Sequence, residues 1–540
     1  MTATAASDPP AKPSALAPFH HRAFAILWIA TVASNVGTWM HDVGAAWLMT
    51  ELAPSPLMVA AVQAATTLPI FFFALLAGAI ADIVDRRRLL IIVNVAMGIA
   101  AVAMALFVHA ELITPIGLLV FTFIFGTGAA FMAPAWQAIV PALVPRSDLS
   151  SAIALNSAGI NISRAIGPAL AGFLIVAVGL WAPFALNAVS FIGIILALWW
   201  WQQAKTSAAQ LPPEHVGAAI IAGWRYISNS APVRSTLLRA AAFFAFASAY
   251  WAMLPLIVRE LLSGGPELYG LLLAAVGAGA VLGAFALPII KAKLGPDWTV
   301  AAGTMGTALS LTVFATITNP YVALAVSALA GMCWIAVLSS LHVSVQTALP
   351  DWVRARGLSF FLTVFFGAMS AGSLIWGQLA SAAGIETSLL VASAGAVVMV
   401  PLTWRAKLNG GVGQDLAPAM HWPAPLVAKD SVDQSGPVMI QITYQVPLDN
   451  LSCFQTSMDD LKASRLRGGG YSWSLFQDAA DPKLFFETWY EASWTDHLRH
   501  HERVSKADEQ IQKRVRELVI RGTEPEVRHL LVPILGRPKA

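Results

Sequence analysis

The chain alternates between long apolar runs and short polar breaks. Apolar segments fall at about 24–49, 56–81, 89–109, 112–134, 149–179 and 182–201, and resume at about 236–258, 267–290, 298–318, 320–345, 357–383 and 386–404. About 20 apolar residues suffice for a helix to cross ~30 Å of hydrocarbon, so each of these twelve segments fits one crossing. From 437 onward the period changes. VMIQITYQV alternates strictly, as a half-buried strand does. Asp449 caps a predicted helix with Leu451, Phe454, Met458 and Leu461 on one face. After the RGGG turn, YSWSLFQD and KLFFETWYEA read as two more strands, then come a polar helix from about Trp494 to Val519 and a last strand near VRHLLVPI. The pattern predicts an all-α polytopic membrane protein followed by a small α+β domain in the order β-α-β-β-α-β, which is the ferredoxin-like pattern.

The domain division that follows is a disordered N-terminal lead over 1–21, a first six-helix bundle over 22–201 and a loop over 202–235. A second six-helix bundle covers 236–405, a Pro/Gly-rich linker 406–436 and the α+β domain 437–540. Within the loop, EHVGAAIIAGWRYISNS reads as an amphipathic helix on the membrane surface, with Trp199, Trp200 and Trp201 before it as an interfacial belt.

Composition agrees. Of 540 residues, 57% are hydrophobic and 12% charged, where soluble proteins carry about 25% charge. The net charge of +3 carries little information; the placement of the basic residues carries more. Lys12 and Arg22 precede the first helix, Arg86, Arg87 and Arg88 follow the second, and Arg146 follows the fourth. Lys205, Arg225 and Arg234 lie in the central loop, Lys291 and Lys293 after the eighth helix, Arg354 and Arg356 after the tenth, and Arg405 and Lys407 after the last. The intervening loops offer only Arg259. The positive-inside rule then places both termini in the cytoplasm of a multi-pass protein of the plasma (inner) membrane. The N-terminal stretch lacks the charged start, short apolar core and cleavage site of a signal peptide. Cys333 lies in an apolar run and Cys453 in the tail, so no disulfide framework is expected. No P-loop is present, which argues against direct ATP drive.

The two halves are repeats. A shift of 205 places Gly78 on Gly283, Gly98 on Gly303, Gly126 on Gly331, Gly167 on Gly372, Gly172 on Gly377 and Gly179 on Gly384. Six of the twelve glycines between 22 and 200 therefore coincide, where about one would by chance. Six helices plus six in parallel orientation resemble the major facilitator superfamily, in which substrate binds between halves that rock about it.

Several motifs sharpen the resemblance. GAIADIVDRRR is similar to the superfamily's loop signature, Gly-x-x-x-Asp-Arg-x-Gly-Arg. Gly78 and Asp82 match, Ile83 and Asp85 depart from it, and Arg86, Arg87 and Arg88 close it. The resemblance implies a cytoplasmic latch across the domain interface; a basic loop that only fixes orientation is the other reading. The equivalent of Asp82 in the second half is Leu287, so a charged latch is one-sided. SRAIGPALAG resembles the antiporter signature of helix five through Gly167, Pro168 and Gly172, where a plain close-packing seam is the alternative. Thr122 stands where related drug exporters carry an arginine. GTWMHDVGAAWLMTEL, APAWQAIVPALVPRSDLSSAIALNS and RAIGPALAGFL resemble the branch holding the enterobactin exporter and transmembrane secretion effectors.

Asp42 and Arg164 are read as the two ionisable groups within the spans, where such groups are functional candidates by default. They are proton-coupling candidates that approach one another or share a cavity; a fixed ion pair at the rim is the alternative. Asn35, Gln63, Asn94, Gln137, Asn161, Asn187, His342 and Gln346 are cavity candidates, though most intramembrane amides bond between helices.

The tail resembles the antibiotic-biosynthesis-monooxygenase type of dimeric α+β barrel at FFETWYEASWTDHLRHHERV, and the resemblance allows a homodimer through it. His497 and His501 have the spacing of two metal ligands on one helix face. No carboxylate or cysteine pattern completes a set, so we read them as a solvated face with no metal.

The expectation is a secondary transporter, not an enzyme, exporting a siderophore-, drug- or metabolite-like molecule by proton antiport with alternating access. Its partners are the bilayer, the small molecule and protons, with no nucleic acid and no cofactor. The alternatives are a membrane-tethered oxygenase whose helical half moves the tail's substrate, and a non-transporting sensor.

Overall fold

The computed structural model describes residues 16–53, 55–145, 147–201, 216–408, 415–422, 436–520, 522–523 and 525–531, and the Asp82 side chain lies outside the description. The apolar pattern becomes helices α1 (Arg22–Leu52), α2 (Pro56–Ile83), α3 (Arg86–His109), α4 (Pro115–Ile139), α5 (Leu149–Ala177), α6 (Ala182–Trp200), the short α7 (Val216–Ser228) and α8 (Ala231–Leu256). They continue as α9 (Pro266–Thr316), α10 (Pro320–Thr347), α11 (Asp351–Ala383) and α12 (Ile385–Leu402). Eleven of these helices are long and apolar enough to cross a membrane. The 51-residue α9 is two arms joined at Gly295, whose φ of 72° breaks the helix. With its two arms counted separately, the described residues hold twelve apolar helical segments, the eighth and ninth sharing one element.

Local chemistry sets the helix starts. Thr114 caps α4 by accepting from the Gly117 amide at 3.1 Å, with Pro115 in the first turn. That proline lacks only an N–H that would be orphaned there. Gly179 and Gly384, coincident in the repeat, close α5 and open α12 with φ of 121° and 90°. Only glycine adopts that region at no steric cost.

The chain divides into two compact units. The first comprises 1–210, 239–340 and 362–405, and the second 211–238, 341–361 and 406–540. Within the first unit, α5 packs on α1 through Gly167, whose added β-carbon would stand 2.5 Å from the Trp39 Cβ, and on α9 through Gly172. The repeat mate α11 does the same with exchanged partners: Gly372 backs onto Ala245 and Ser248 of α8, and Gly377 onto Leu57 and Ala60 of α2. The coincident glycines are where one half touches its own first helix and where it touches the other half. Two further links join the halves at the end remote from the basic loops. Arg259 donates to the Thr50 carbonyl, and the Leu57 amide donates to Ser381 Oγ at 3.0 Å.

The second unit contains the α+β domain: β1 (Val438–Gln445), α13 (Leu451–Gly468), β2 (Tyr471–Gln477), β3 (Leu484–Glu491), α14 (Trp494–Arg503), α15 (Lys506–Glu517) and β4 (Glu526–Leu531). The antiparallel sheet has the order β2-β3-β1-β4, the ferredoxin-like arrangement. Val438, Ile440, Ile442 and Tyr444 of β1 point inward against Phe454, Met458 and Leu461 of α13 and Phe485 and Trp489 of β3. The expected single polar helix is in fact two, because Ser505 and Asp508 form a capping box that starts α15; a Ser with an acid three residues on satisfies orphan amides at a new helix start. The α7 segment buries Tyr226 and Ile227. Tyr226 donates to the Ala348 carbonyl at 3.1 Å and Arg225 to the Gly469 carbonyl at 2.8 Å, so this helix packs on protein instead of lying free on a membrane surface.

Candidate functional site

A cavity of about 390 Å³ lies within the first six-helix bundle. Thr31, Asn35, Trp39 and Asp42 of α1 form one wall, and Asn94, Met97, Thr122, Phe125, Trp136, Gln137 and Asn156 face them from α3, α4 and α5. Asp42 is the one charged residue in this lining among the described residues. The walls are otherwise apolar, aromatic or neutral polar, with few convergent hydrogen-bonding groups, which is the usual make-up of a small-molecule pocket.

Of the cavity candidates, Asn35, Asn94 and Gln137 line this space. Asn94 is 1% exposed; its Nδ2 donates to the Leu90 carbonyl at 2.7 Å, while its Oδ1 is buried with no partner among the described residues. Gln63, Asn161 and Asn187 do not line it. Asn161 donates back to the Ser157 carbonyl at 2.9 Å, and Asn187 is buried where α6 meets Gly37 of α1. His342 and Gln346 belong to the second unit, with the His342 ring edge-on to Phe361 at 5.8 Å. Sequence reasoning missed Asn156, which accepts from Trp136 Nε1 at 3.0 Å on the cavity wall.

Asp42 and Arg164 do not pair. Trp28 Nε1 donates to the Leu155 carbonyl at 2.9 Å and Ser163 Oγ to the Val32 carbonyl at 3.1 Å, which fixes the register of α1 on α5. Arg164 is therefore level with about residue 35, and Asp42 lies roughly two turns, ~10 Å, further along. Instead the Arg164 guanidinium rests over the Trp39 ring, 5.6 Å from its centroid, and its Nε is buried with no partner among the described residues. Trp39 thus stands between the cavity and Arg164. Neither are these the only ionisable groups within the bundles. Arg239 of α8, 4% exposed, pairs with Asp297 at 2.8 Å and donates to the Thr403 carbonyl at 3.3 Å. His41, 1% exposed, lies between Phe125 and Phe184 with both ring nitrogens unpartnered among the described residues.

At the loop after α2, Asp85 caps α3 by accepting from the Arg88 amide at 2.8 Å. Arg86 donates to the carbonyls of Ala81 and Ala138, and Arg87 to those of Leu198 and Trp199 at the end of α6. Cations there satisfy orphan carbonyls and complement the helix dipole. These bonds all stay within the first half. Gly78 lies one turn before Asp82, in the last turns of α2.

In the tail, His497 is 1% exposed, which overturns the reading of a solvated histidine face. The ring of His529, on β4, lies 4.7 Å from it. Burial and the neighbouring His497 push both His501 and His529 down to about 4. Burial alone would raise the Glu491 carboxyl, but His500 and His497 outweigh it and hold it below the usual range.

A family model described as transmembrane secretion effector matches residues 13–537. The chain belongs to the transmembrane secretion effector family. The match runs through the α+β domain, so the tail is part of what the family model covers. Among relatives of this secretion effector chain is the staphyloferrin A transporter of Staphylococcus aureus, 23% identical over 65% of this chain and 87% of that protein. The multidrug efflux pump Tap of Mycolicibacterium fortuitum is 24% identical over 68% and 91%, and the enterobactin exporter EntS of Citrobacter koseri 24% over 62% and 80%. Among solved structures, the nucleoside transporter NupG superposes with a TM-score of 0.58 at 13% identity, covering 71% of this chain and 99% of its own. A bacterial homologue of the iron transporter ferroportin, in an inward-facing state, gives 0.54 at 16% over 71% and 98%. These structures establish the fold. The chain is an integral membrane transporter of the major facilitator type and not an enzyme by family; the oxygenase alternative finds no support among the relatives.

Proposed function

We propose that this chain exports a small organic molecule of siderophore, drug or metabolite character by alternating access, driven by inward movement of protons. The supporting observation is the cavity whose one charged lining residue is Asp42. A carboxylate that is neutral when protonated and charged when not alters the affinity of such a space for a substrate, and that difference is what coupling requires. The names of the relatives support export. Arg164, held over Trp39, acts on Asp42 through the cavity wall and not by a direct bond.

On this reading the protein sits in the plasma membrane with both termini cytoplasmic, as the basic loops favour. Gly78, Asp82 and the basic residues Arg86 to Arg88 form a cytoplasmic latch that engages across the interface in another state of the cycle, since here the bonds of Arg86 and Arg87 stay within the first half, and Asp85 serves it by starting α3. The domain division follows the two bundles, the loop, the linker and the tail, with the tail as a regulatory or dimerising domain.

The test is reconstitution in liposomes with an imposed proton gradient and a panel of siderophores, lipophilic drugs and aromatic metabolites. Substrate-dependent proton flux that survives removal of residues 437–540 is expected. Absence of proton movement with every compound, together with product formation by the tail, overturns the proposal.

A further inference from the structure

The tail holds a cluster that transport does not use. His497 and His501, four residues apart on α14, share one helix face, and β4 brings His529 to the same place. One nitrogen from each of the three lies within 4.8 Å of the others. His497 Nε2 and His501 Nε2 are 3.1 Å apart. Two imidazoles on one tetrahedral zinc, each at ~2.0–2.1 Å, have nitrogens ~3.3 Å apart, so this pair already has ligand spacing. Among the described residues His529 lies on a strand that pairs on one side only, with β1, and a modest turn of its ring completes the set.

The surroundings fix the chemistry of the first ligand. Glu491 Oε2 accepts from His497 Nδ1 at 2.9 Å. The proton is thereby held on Nδ1, and the Nε2 lone pair points at His501. The other oxygen of that carboxylate accepts from His500 Nδ1 at 2.5 Å and from Trp489 Nε1 at 2.9 Å, so His500 is turned away from the cluster. A ligating imidazole whose second nitrogen is held by a carboxylate is the common outer arrangement of metal sites. Trp494 covers His497 and His529 from one side, with ring centroids 5.3 and 5.8 Å away, and Trp422 stands edge-on to His501 at 4.8 Å.

We propose that His497, His501 and His529 bind one divalent late first-row metal, zinc in preference, with a fourth position open to water or a small anion. Three imidazoles suit zinc, and three protein ligands with an open position mark a site that exchanges ligands and not one that is purely structural. The metal joins α14 to the edge strand β4. A metabolite offering an oxygen or nitrogen donor would report its presence to the domain by taking the fourth position. The competing arrangement is a plain hydrogen bond in which His501 Nε2–H donates to His497 Nε2.

The experiment uses the full chain, without a polyhistidine tag, purified in detergent, treated with chelator and titrated with zinc and, separately, with cobalt(II). One zinc per chain and the intense visible absorption of tetrahedral cobalt are expected. Both are lost in His501→Ala and in His529→Ala, and both are kept in His109→Ala. Glu491→Gln should weaken zinc binding ~10–100-fold. Circular dichroism identifies any variant that fails to fold, and His529→Gln then replaces His529→Ala. Less than stoichiometric zinc in the parent chain, or a stoichiometric site retained in the His501→Ala/His529→Ala double variant, overturns the proposal in favour of the hydrogen bond. Neither readout depends on transport, so failure here leaves the export reading untouched.

Discussion

The crossing of α5 on α9 gives a prediction whose size follows from the geometry. A β-carbon at Gly172 would stand 2.6 Å from the Pro266 carbonyl oxygen and 3.0 Å from the Glu267 Cα. Ordinary contact begins near 3.4 Å, so the helices must part by ~0.8 Å (3.4 minus 2.6) to admit a single methyl. The obstructing atoms are backbone, which cannot swing aside as a side chain does. Overpacking of this kind costs about 1–3 kcal/mol. Gly172→Ala should therefore lower the melting temperature of the purified protein by several degrees. Gly193→Ala is the matched control, because a β-carbon there meets nothing within 4 Å. It removes a helical glycine at an open position and should be neutral or stabilising by roughly 0.5–1 kcal/mol. Gly377→Ala, against Ala60 and Leu57 across the other seam, should behave like Gly172→Ala. The same penalty falls on any arrangement in which the halves meet at this seam, so a cysteine placed beside Asn35 should change its labelling rate in Gly172→Ala and not in Gly193→Ala. Indistinguishable melting curves for Gly172→Ala and Gly193→Ala would refute the close-packed seam.

Three further outcomes are expected. Asp42→Asn should abolish proton movement in liposomes while leaving substrate exchange; intact proton-coupled transport in that variant sinks the coupling role. Asp297→Asn removes the carboxylate partner of buried Arg239; because Asp297 is itself partly exposed, the expected loss is below the ~3–5 kcal/mol of breaking a fully buried pair, and wild-type thermal stability would show that the pair contributes nothing. In the tail, buried Glu487 accepts from Arg465 Nε at 3.1 Å, Tyr444 Oη at 2.8 Å and Trp473 Nε1 at 2.9 Å. Glu487→Gln should speed hydrogen exchange in β1 and β3 of the full chain, and unchanged protection there would contradict the role given to this network.

How far the sequence reached follows physical lines. The helices were legible because bilayer thickness fixes the length of an apolar run, and the glycine repeat was legible because the two halves meet their neighbours at the same places. The sheet was legible in the alternation of Val438, Ile440, Ile442 and Tyr444. What stayed hidden depended on tertiary juxtaposition. Arg239 lies just inside the apolar run 236–258 and Asp297 at a polar break, 58 residues apart, and nothing in the sequence links them. His529 is one histidine in a short strand, and nothing in its neighbourhood announces that α14 lies above it. Asp85 was weighed as part of a motif, while its backbone bond to Arg88 makes it a helix cap. The supposed meeting of Asp42 and Arg164 failed on helix register, which adjacency of two helices does not reveal.

The join at Gly295 has a mechanical consequence. With no loop between them, the two arms of α9 form a bent lever. Its first arm bears Gly270 and Gly277, where α5 presses; its second arm begins at the Asp297 that Arg239 grips. The seam with the first half and the ion pair that ties α8 to α9 thus sit on one continuous element, and the Arg239 bond to the Thr403 carbonyl carries the connection on to the end of α12. A displacement at the seam therefore reaches that ion pair through one joint, Gly295, where the helix is broken.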